Sequence, residues 1–284
     1  MIYKITSSKN DHFKRFKSLF TAKGIKKHNS FFLMGQKLVE DALLDNFYPF
    51  FEVIIPDNYS DEELEKLNLT YLSSKYLDSL NPYSRSKAKN EKLEQKDLHA
   101  FVLHKELFAE LDIMNTKAPL LIGHCPKIKS INIDEEAQGL EVLCALGEPH
   151  NLGSLFRSCE AFNIKKVILL KESCNPFLPK VIKSSNGAAL RLKLERGPSI
   201  NELETYTHVN KSPFVALDLK GQHLSDYKWS PNTRLLVGQE GPGLPRNIAV
   251  EKVTIPINAK LDSLNSTVAL SIALYDYQAK SKLL

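Results

Sequence analysis

Long apolar runs are missing from this chain. No stretch reaches the roughly 18 apolar residues that a membrane-spanning helix needs, and the start, Met-Ile-Tyr-Lys-Ile-Thr-Ser-Ser-Lys, lacks the apolar core of a secretory signal. The expectation is a cytoplasmic protein. Cysteine is scarce: Cys125, Cys144, Cys159 and Cys174 are scattered, with no C-x-x-C pair and no Cys/His metal spacing. Neither a disulfide framework nor a zinc site is suggested, and the four read as small buried apolar residues. No internal repeat or low-complexity tract is apparent. No glycine-rich turn is followed by Lys-Ser/Thr, which excludes a P-loop.

What is present is a chain of 284 residues, 43% of them apolar. That is enough for ordinary cores, and the length favours two domains. Formal net charge is +5, unevenly spread. Lys4, Lys9, Lys14, Arg15, Lys17, Lys23, Lys26 and Lys27 face a single acid, Asp11, within residues 1–27, and a second cluster runs Arg85-Ser-Lys-Ala-Lys89. Such patches fit a polyanion, RNA or DNA, although a solvated helix face accounts for any one of them equally well.

Periodicity divides the chain near the polar stretch 127–139. Before it, a basic helical pattern covers about residues 8–24, "FFLMGQKLVEDALLDN" reads as a helix, "FEVIIP" (51–56) as a strand, "DEELEKL" as an acidic helix, and "HAFVLH" (99–104) and "APLLIGH" (118–124) as further strands. Residues 84–98 are polar and look mobile. After it, strand candidates at 140–146, 165–170, 190–195, 213–219, 234–238 and 252–257 alternate with helical patterns, which indicates an α/β fold on a parallel sheet.

Three segments of the second half carry chemistry. "VGQEGPGLP" (237–245) follows a strand with glycines at 238, 241 and 243. Its order is not the dinucleotide fingerprint, and Glu240 would repel a pyrophosphate; a ligand with a positive centre, such as S-adenosylmethionine, suits it better. A tight turn with an exposed glutamate accounts for the loop taken alone. In "GEPHNLGSLFRSCEAF" (147–162), Asn151 can cap a helix with an apolar stripe of Leu152, Leu155, Phe156, Cys159 and Phe162, leaving Ser154 and Arg157 off the stripe on its first turns. In "VTIPINAKLDSLNSTVALSIALYDYQ" (253–278), Ser263 or Asn265 can cap a closing helix with almost no polar face, which calls for a partner subunit.

Together these segments resemble the SpoU/TrmH-type branch of the SPOUT RNA methyltransferases, whose signatures N-x-G-x-x-x-R, G-x-E-G-x-G-L and I-P-x…S-L-N are matched by "NLGSLFR", "GQEGPGL" and "IPINAKLDSLN". The N-terminal half is similar to that family's small ribosomal-protein-like substrate domain through "FFLMGQKLVEDAL". Its "RSKAKNEKLEQKDLHAFVLHK" stands where the family carries an R-A…H-Q-G segment.

The resemblance implies an α/β trefoil-knotted methyltransferase domain over residues 139–284, an RNA substrate domain over 1–130, and a homodimer. It implies S-adenosylmethionine held by Gly238, Glu240, Gly241, Ile255, Ile257, Leu264 and Asn265, with Leu217 as a further contact, and no metal. The reaction would be methyl transfer to a ribose 2′-hydroxyl in rRNA or tRNA. Arg157 matches the catalytic arginine, acting as base or as clamp on a neighbouring phosphate. Asn151 would orient the site, Glu240 would stabilise nearby cationic groups, and Ser185 in "KSSNGAA" matches a serine near the substrate. A catalytically silent RNA-binding dimer is the competing expectation, which retention of Asn151, Arg157 and Glu240 argues against. A nucleotide-binding enzyme is disfavoured by Glu240 and the absent lysine.

Overall fold

The computed structural model describes residues 2–44, 47–60, 62, 98–207, 211–245, 248–258 and 260–281. The chain falls into two compact units, Met1–Cys125 with Phe177–Pro179, and Pro126–Pro176 with Lys180–Leu284. The expected helix over "DEELEKL", the polar segment 84–98 and the Arg85–Lys89 cluster lie outside the described residues, apart from Glu62 and Leu98.

The first unit contains β1 (Ile2–Ile5), α1 (Asp11–Ser18), α2 (Ala22–His28), β2 (Ser30–Leu33), α3 (Gln36–Leu44), β3 (Phe50–Pro56), β4 (His99–Leu103), α4 (Lys105–Leu111) and β5 (Leu120–His124). Its sheet has the order β1-β4-β3-β5-β2, with β1, β4 and β3 parallel and β5 antiparallel to both β3 and β2. The basic helix expected over 8–24 is in fact two. Asn10 caps the first and Thr21 the second, and Gly24 packs so closely on the end of α1 that a Cβ there would lie 2.0 Å from the Ser18 carbonyl oxygen. "FFL" belongs to β2, not to the helix that follows; it is buried on both faces, a pattern that does not distinguish strand from helix. Neither β1 nor α4 was foreseen. Three cations of the N-terminal patch are consumed by ion pairs: Lys14 with Asp11, Arg15 with Glu52 at 2.6 Å, and Lys17 with Glu110.

The second unit is a seven-stranded sheet in the order β12-β10-β11-β7-β8-β9-β6, parallel throughout. Its elements are β6 (Lys129–Ser130), β7 (Leu140–Cys144), α5 (Pro149–Ala161), β8 (Lys166–Leu169), α6 (Pro179–Ser184), α7 (Ala188–Arg191), β9 (Leu194–Arg196), α8 (Glu204–Thr207), β10 (Phe214–His223), β11 (Thr233–Val237), β12 (Glu251–Thr254) and α9 (Ser266–Lys280). The strand expected at 190–195 is shorter and later, because Ala188–Arg191 is helical. The polar stretch 127–139 supplies the edge strand β6 and buries Ile133 and Ala137, so it is part of this unit. Cys144 and Cys159 are buried, but Cys125 and Cys174 are partly exposed, against the expectation that all four are core residues. Among the described residues no helix is long and apolar enough to cross a membrane.

Within this apolar sheet lies a row of charges. Arg234 on β11 pairs in register with Glu141 on β7, and both side chains are fully buried. Glu141 also meets Lys166 on β8 at 3.1 Å, and Lys166 reaches Glu195 on β9 at 3.3 Å. Burial works against the Lys166 ammonium, but the two glutamates outweigh it and hold its pKa above the usual lysine value. Arg234 also donates to the carbonyls of Ile133 (2.6 Å) and Glu135 (2.7 Å), fixing the segment after β6. Truncating Glu141 leaves a buried guanidinium without its counter-ion. Glu141→Ala is therefore expected to lower the unfolding free energy by about 3–5 kcal/mol, read from denaturant titration; a loss below about 1 kcal/mol would rule out this role for the pair.

Candidate functional site

Helix α5 begins earlier than its sequence suggested. Glu148 is the N-cap, its Oε2 accepting from the Asn151 amide at 2.8 Å, with Pro149 in the first turn. Asn151 is therefore not the cap, and its side chain is free for another task. Its Nδ2 donates to Glu240 Oε1 at 2.8 Å, and its Oδ1 accepts from Asn265 Nδ2 at 3.3 Å. The three residues come from the three segments singled out in the sequence, 89 and 114 residues from Asn151.

Asn265 is the N-cap of α9: its Oδ1 accepts from the Thr267 amide at 2.9 Å and from the Thr267 hydroxyl. One side chain thus starts the terminal helix and ties it to Asn151. The buried positions Leu270, Ala273, Leu274 and Tyr277 hold α9 against the domain, and Ser158 on α5 meets Ser271 at 2.8 Å.

The loop after β11 folds on itself. Gln239 and Gly243 exchange backbone hydrogen bonds at 3.0 Å in both directions, and Gly241 (φ +80°) and Gly243 (φ +68°) take the left-handed conformation. A Cβ on Gly238 would come 2.8 Å from the Gly243 carbonyl carbon. The loop's own closure is thus a reason for glycine at 238. Gly153 in "NLGSLFR" also has an internal reason: its Cβ would fall 1.8 Å from Ser184 Oγ, so it lets α5 and α6 touch.

This loop, the end of β10, the segment after β12 and the start of α9 enclose a cleft of about 560 Å³. It lies beyond the carboxyl ends of parallel strands, where open α/β sheets bind ligands. Of the expected cofactor contacts, Leu217, Gly238, Glu240, Gly241, Ile255, Ile257 and Leu264 line it; Asn265 stands between the lining residues Leu264 and Ser266. Sequence reasoning missed Asp218 and Asp262, which line it too. The described lining residues thus carry three carboxylates and no lysine or arginine. Among the described residues, no three carboxylate, imidazole or thiol groups converge as a metal site.

Four expected site residues do not line it: Asn151 and Asn265, which bond each other and hold Glu240 through Asn151, and Arg157 and Ser185. Arg157 is exposed, in the third turn of α5, and makes no hydrogen bond or ion pair among the described residues. Ser185 is fully buried, and its hydroxyl bonds the Ile182 carbonyl at 3.0 Å, so it braces the α6–α7 turn and is not presented to a substrate. Burial first, then Cys144, Glu148 and Glu240, push the Cys174 thiol up to about 12.

Residues 140–275 match the model of the SpoU rRNA methylase family. Over those residues the chain is similar to the SpoU/TrmH-type methyltransferases. Ribosomal RNA small subunit methyltransferase G 2 of Syntrophobacter fumaroxidans is 30% identical over 273 residues, which is 96% of this chain and 48% of that protein. The 23S rRNA (guanosine-2′-O-)-methyltransferase RlmB of Acinetobacter baylyi is 31% identical over 137 residues, 45% of this chain and 54% of that one. The chain spans about half the length of the curated relatives it matches. An AdoMet-bound rRNA methyltransferase from Sinorhizobium meliloti superposes over 100% of this chain and 99% of its own, with a TM-score of 0.74 at 20% identity. At that identity the likeness speaks to the fold, and the parallel α/β sheet is that of the SPOUT methyltransferases.

Because Asn265 both caps α9 and ties it to Asn151, Asn265→Ala is expected to cost about 0.5–2 kcal/mol of stability. Asn265→Ser keeps a capping oxygen and should recover most of it. Equal melting temperatures for wild type and Asn265→Ala would remove the capping role.

Proposed function

We propose that this chain is an S-adenosylmethionine-dependent methyltransferase acting on a ribose 2′-hydroxyl of rRNA or tRNA. The observation that carries the reading is the charge of the cleft. Glu240 and Asp262 line it with no lysine or arginine among the described lining residues, and Asp218 adds a carboxylate already paired with Lys252, so an anionic nucleotide would be repelled and a ligand bearing a sulfonium and an ammonium would be attracted by the first two. Apolar side chains of Leu217, Val237, Ile255 and Leu264 offer the remaining surface that an adenosine needs. When bound, S-adenosylmethionine supplies the methyl group.

The chain's own residues do the rest. Glu240, held by Asn151, presents a fixed negative charge to the cationic part of the ligand. The acceptor hydroxyl must be aligned and must lose its proton. Arg157 is assigned that neighbourhood, as base or as bidentate clamp on the adjoining phosphate. Since Arg157 lies outside the cleft wall, the site is complete only when RNA or a second copy of the chain is added. A homodimer fits: Val268, Ile272 and Tyr275 form an outward apolar stripe on α9, with Tyr275 58% exposed.

Residues 139–284 would then perform the chemistry, with the trefoil knot of the family, and residues 1–130 would hold the RNA. Lys23, Lys26 and Lys27, which form no ion pair among the described residues, are the better phosphate contacts in that unit, since Lys14 and Arg15 are already paired.

Calorimetry should find binding of S-adenosylmethionine and none of NAD; the reverse result would end this reading. Arg157→Ala should bind the cofactor like wild type yet lose about 100-fold or more in single-turnover methylation of RNA. Unchanged turnover would return Arg157 to the role of a surface residue.

Ile272→Glu places a charge in the apolar stripe. In sedimentation it should turn the dimer into a folded monomer, whereas a wild-type protein that is monomeric at micromolar concentration would exclude the homodimer.

A further inference from the structure

The three carboxylates of the cleft are not equivalent. Glu240 bonds a neutral amide, Asn151, and Asp262 is exposed in the turn before α9. Asp218 is built into the sheet. Strand β10 pairs with β12 up to Leu217 opposite Val253, bulges through Asp218–Gly221, and rejoins β12 with Gln222 opposite the same Val253.

The bulge is pinned at three points. Lys252 Nζ lies 2.9 Å from Asp218 Oδ2, Thr254 Oγ1 donates to the Leu219 carbonyl at 3.1 Å, and Gly221 packs so that a Cβ would lie 2.4 Å from the Lys252 carbonyl oxygen. Asp218 Oδ1 accepts from the Lys220 amide at 3.0 Å. Burial opposes the charged carboxylate, but the bonds from Lys252 and from the Lys220 and Leu219 amides together hold its pKa below the ordinary aspartate value. Asp218 is thus an acceptor only.

A carboxylate with Lys252 beside it presents little net field to a cation, so it is a poor partner for a sulfonium. It still has a free lone pair: a carboxylate offers about four acceptor sites, and the Lys252 ammonium and the Lys220 and Leu219 amides take at most three of them. A carboxylate that lines a cleft with an apolar wall is the acceptor that two neighbouring hydroxyl donors on a nucleoside call for. Dinucleotide-binding folds place an acid at a strand end for the same hydrogen bond to ribose.

We infer that Asp218 reads the ribose of the bound nucleoside, its carboxylate accepting from a free 2′,3′-diol. This rests on the S-adenosylmethionine reading of the cleft. Glu240 then serves the cationic end of the ligand and Asp218 the sugar, and a nucleoside without the diol is rejected because the carboxylate would be desolvated with nothing to replace its water.

The test is calorimetry of the full chain with S-adenosylhomocysteine and its 2′-deoxy and 3′-deoxy forms. Wild type should bind the parent at least about ten-fold more tightly than either deoxy form. Asp218→Asn should bind the parent no better than wild type binds the deoxy forms, with discrimination below about three-fold. Lys252→Met, which removes the ion pair but not the acceptors, should keep the discrimination. Wild type that binds all three ligands alike overturns the assignment of Asp218 and leaves the cofactor reading standing. Wild type that binds none of them overturns both. Loss of discrimination in Lys252→Met as complete as in Asp218→Asn would also overturn it, reducing the carboxylate to a brace for the bulge.

Discussion

The buried pairing of Arg234 with Glu141 is the constraint on which the second unit depends. Parallel strands with apolar side chains on both faces specify register weakly by themselves, since one valine or leucine replaces another at little cost. Charges cannot be exchanged in that way. A slip of β11 against β7 would draw the Arg234 guanidinium away from Glu141, and a slip of β8 would draw Lys166 away from Glu141 and Glu195, in an interior where a separated charge is costly. The row sets four strands in one register and, through the Ile133 and Glu135 carbonyls, fastens the segment that follows β6.

With the register fixed, the loops at the carboxyl ends fall where they can meet. β7 leads into α5, β11 into the glycine turn, and the segment after β12 into α9; the three meet at Asn151, Glu240 and Asn265. Each has a local duty as well, the first turn of α5, the turn after β11 and the cap of α9. The cleft is the space these contacts keep open, and its acidic lining is a property of loops that the sheet holds from below.

How much of this the sequence disclosed depended on the kind of force involved. The three motifs were legible because their glycines, asparagines and glutamate are residue types with few alternative uses. The alternation of strands and helices was legible because burial on both faces leaves an apolar run. Arg234 was invisible as a core residue, because a charge at the head of "RLLVG" reads as solvated unless its partner, 93 residues away, is known. Ser185 looked presented to a ligand because a serine's sequence neighbours do not reveal that its hydroxyl returns to the Ile182 carbonyl. The break between α1 and α2 escaped notice because Thr21 and Gly24 act through a cap and a close approach that periodicity does not register. Asp218 was passed over as the end of a strand, since its position follows from a bulge in β10 that only pairing with β12 creates.

The terminal helix joins these levels. α9 is capped by Asn265, which also holds Asn151 and through it Glu240, so the attitude of the helix and the direction of the glutamate are one mechanical problem. Its far end is fastened separately: Tyr277 donates to the Pro231 carbonyl, Trp229 to Asp276, and the Lys280 ammonium to the carbonyls of Leu224, Ser225 and Tyr227. Between the two anchors the helix turns Val268, Ile272 and Tyr275 outward. Any surface that covers this stripe stabilises the docked helix by the free energy of its own association. By the same linkage it favours the arrangement in which Asn265 and Asn151 hold Glu240 against the cleft. A ligand that prefers a fixed Glu240 must, reciprocally, strengthen that association. Binding at the cleft and cover of the α9 stripe would therefore be coupled through two asparagine side chains, Asn265 and Asn151.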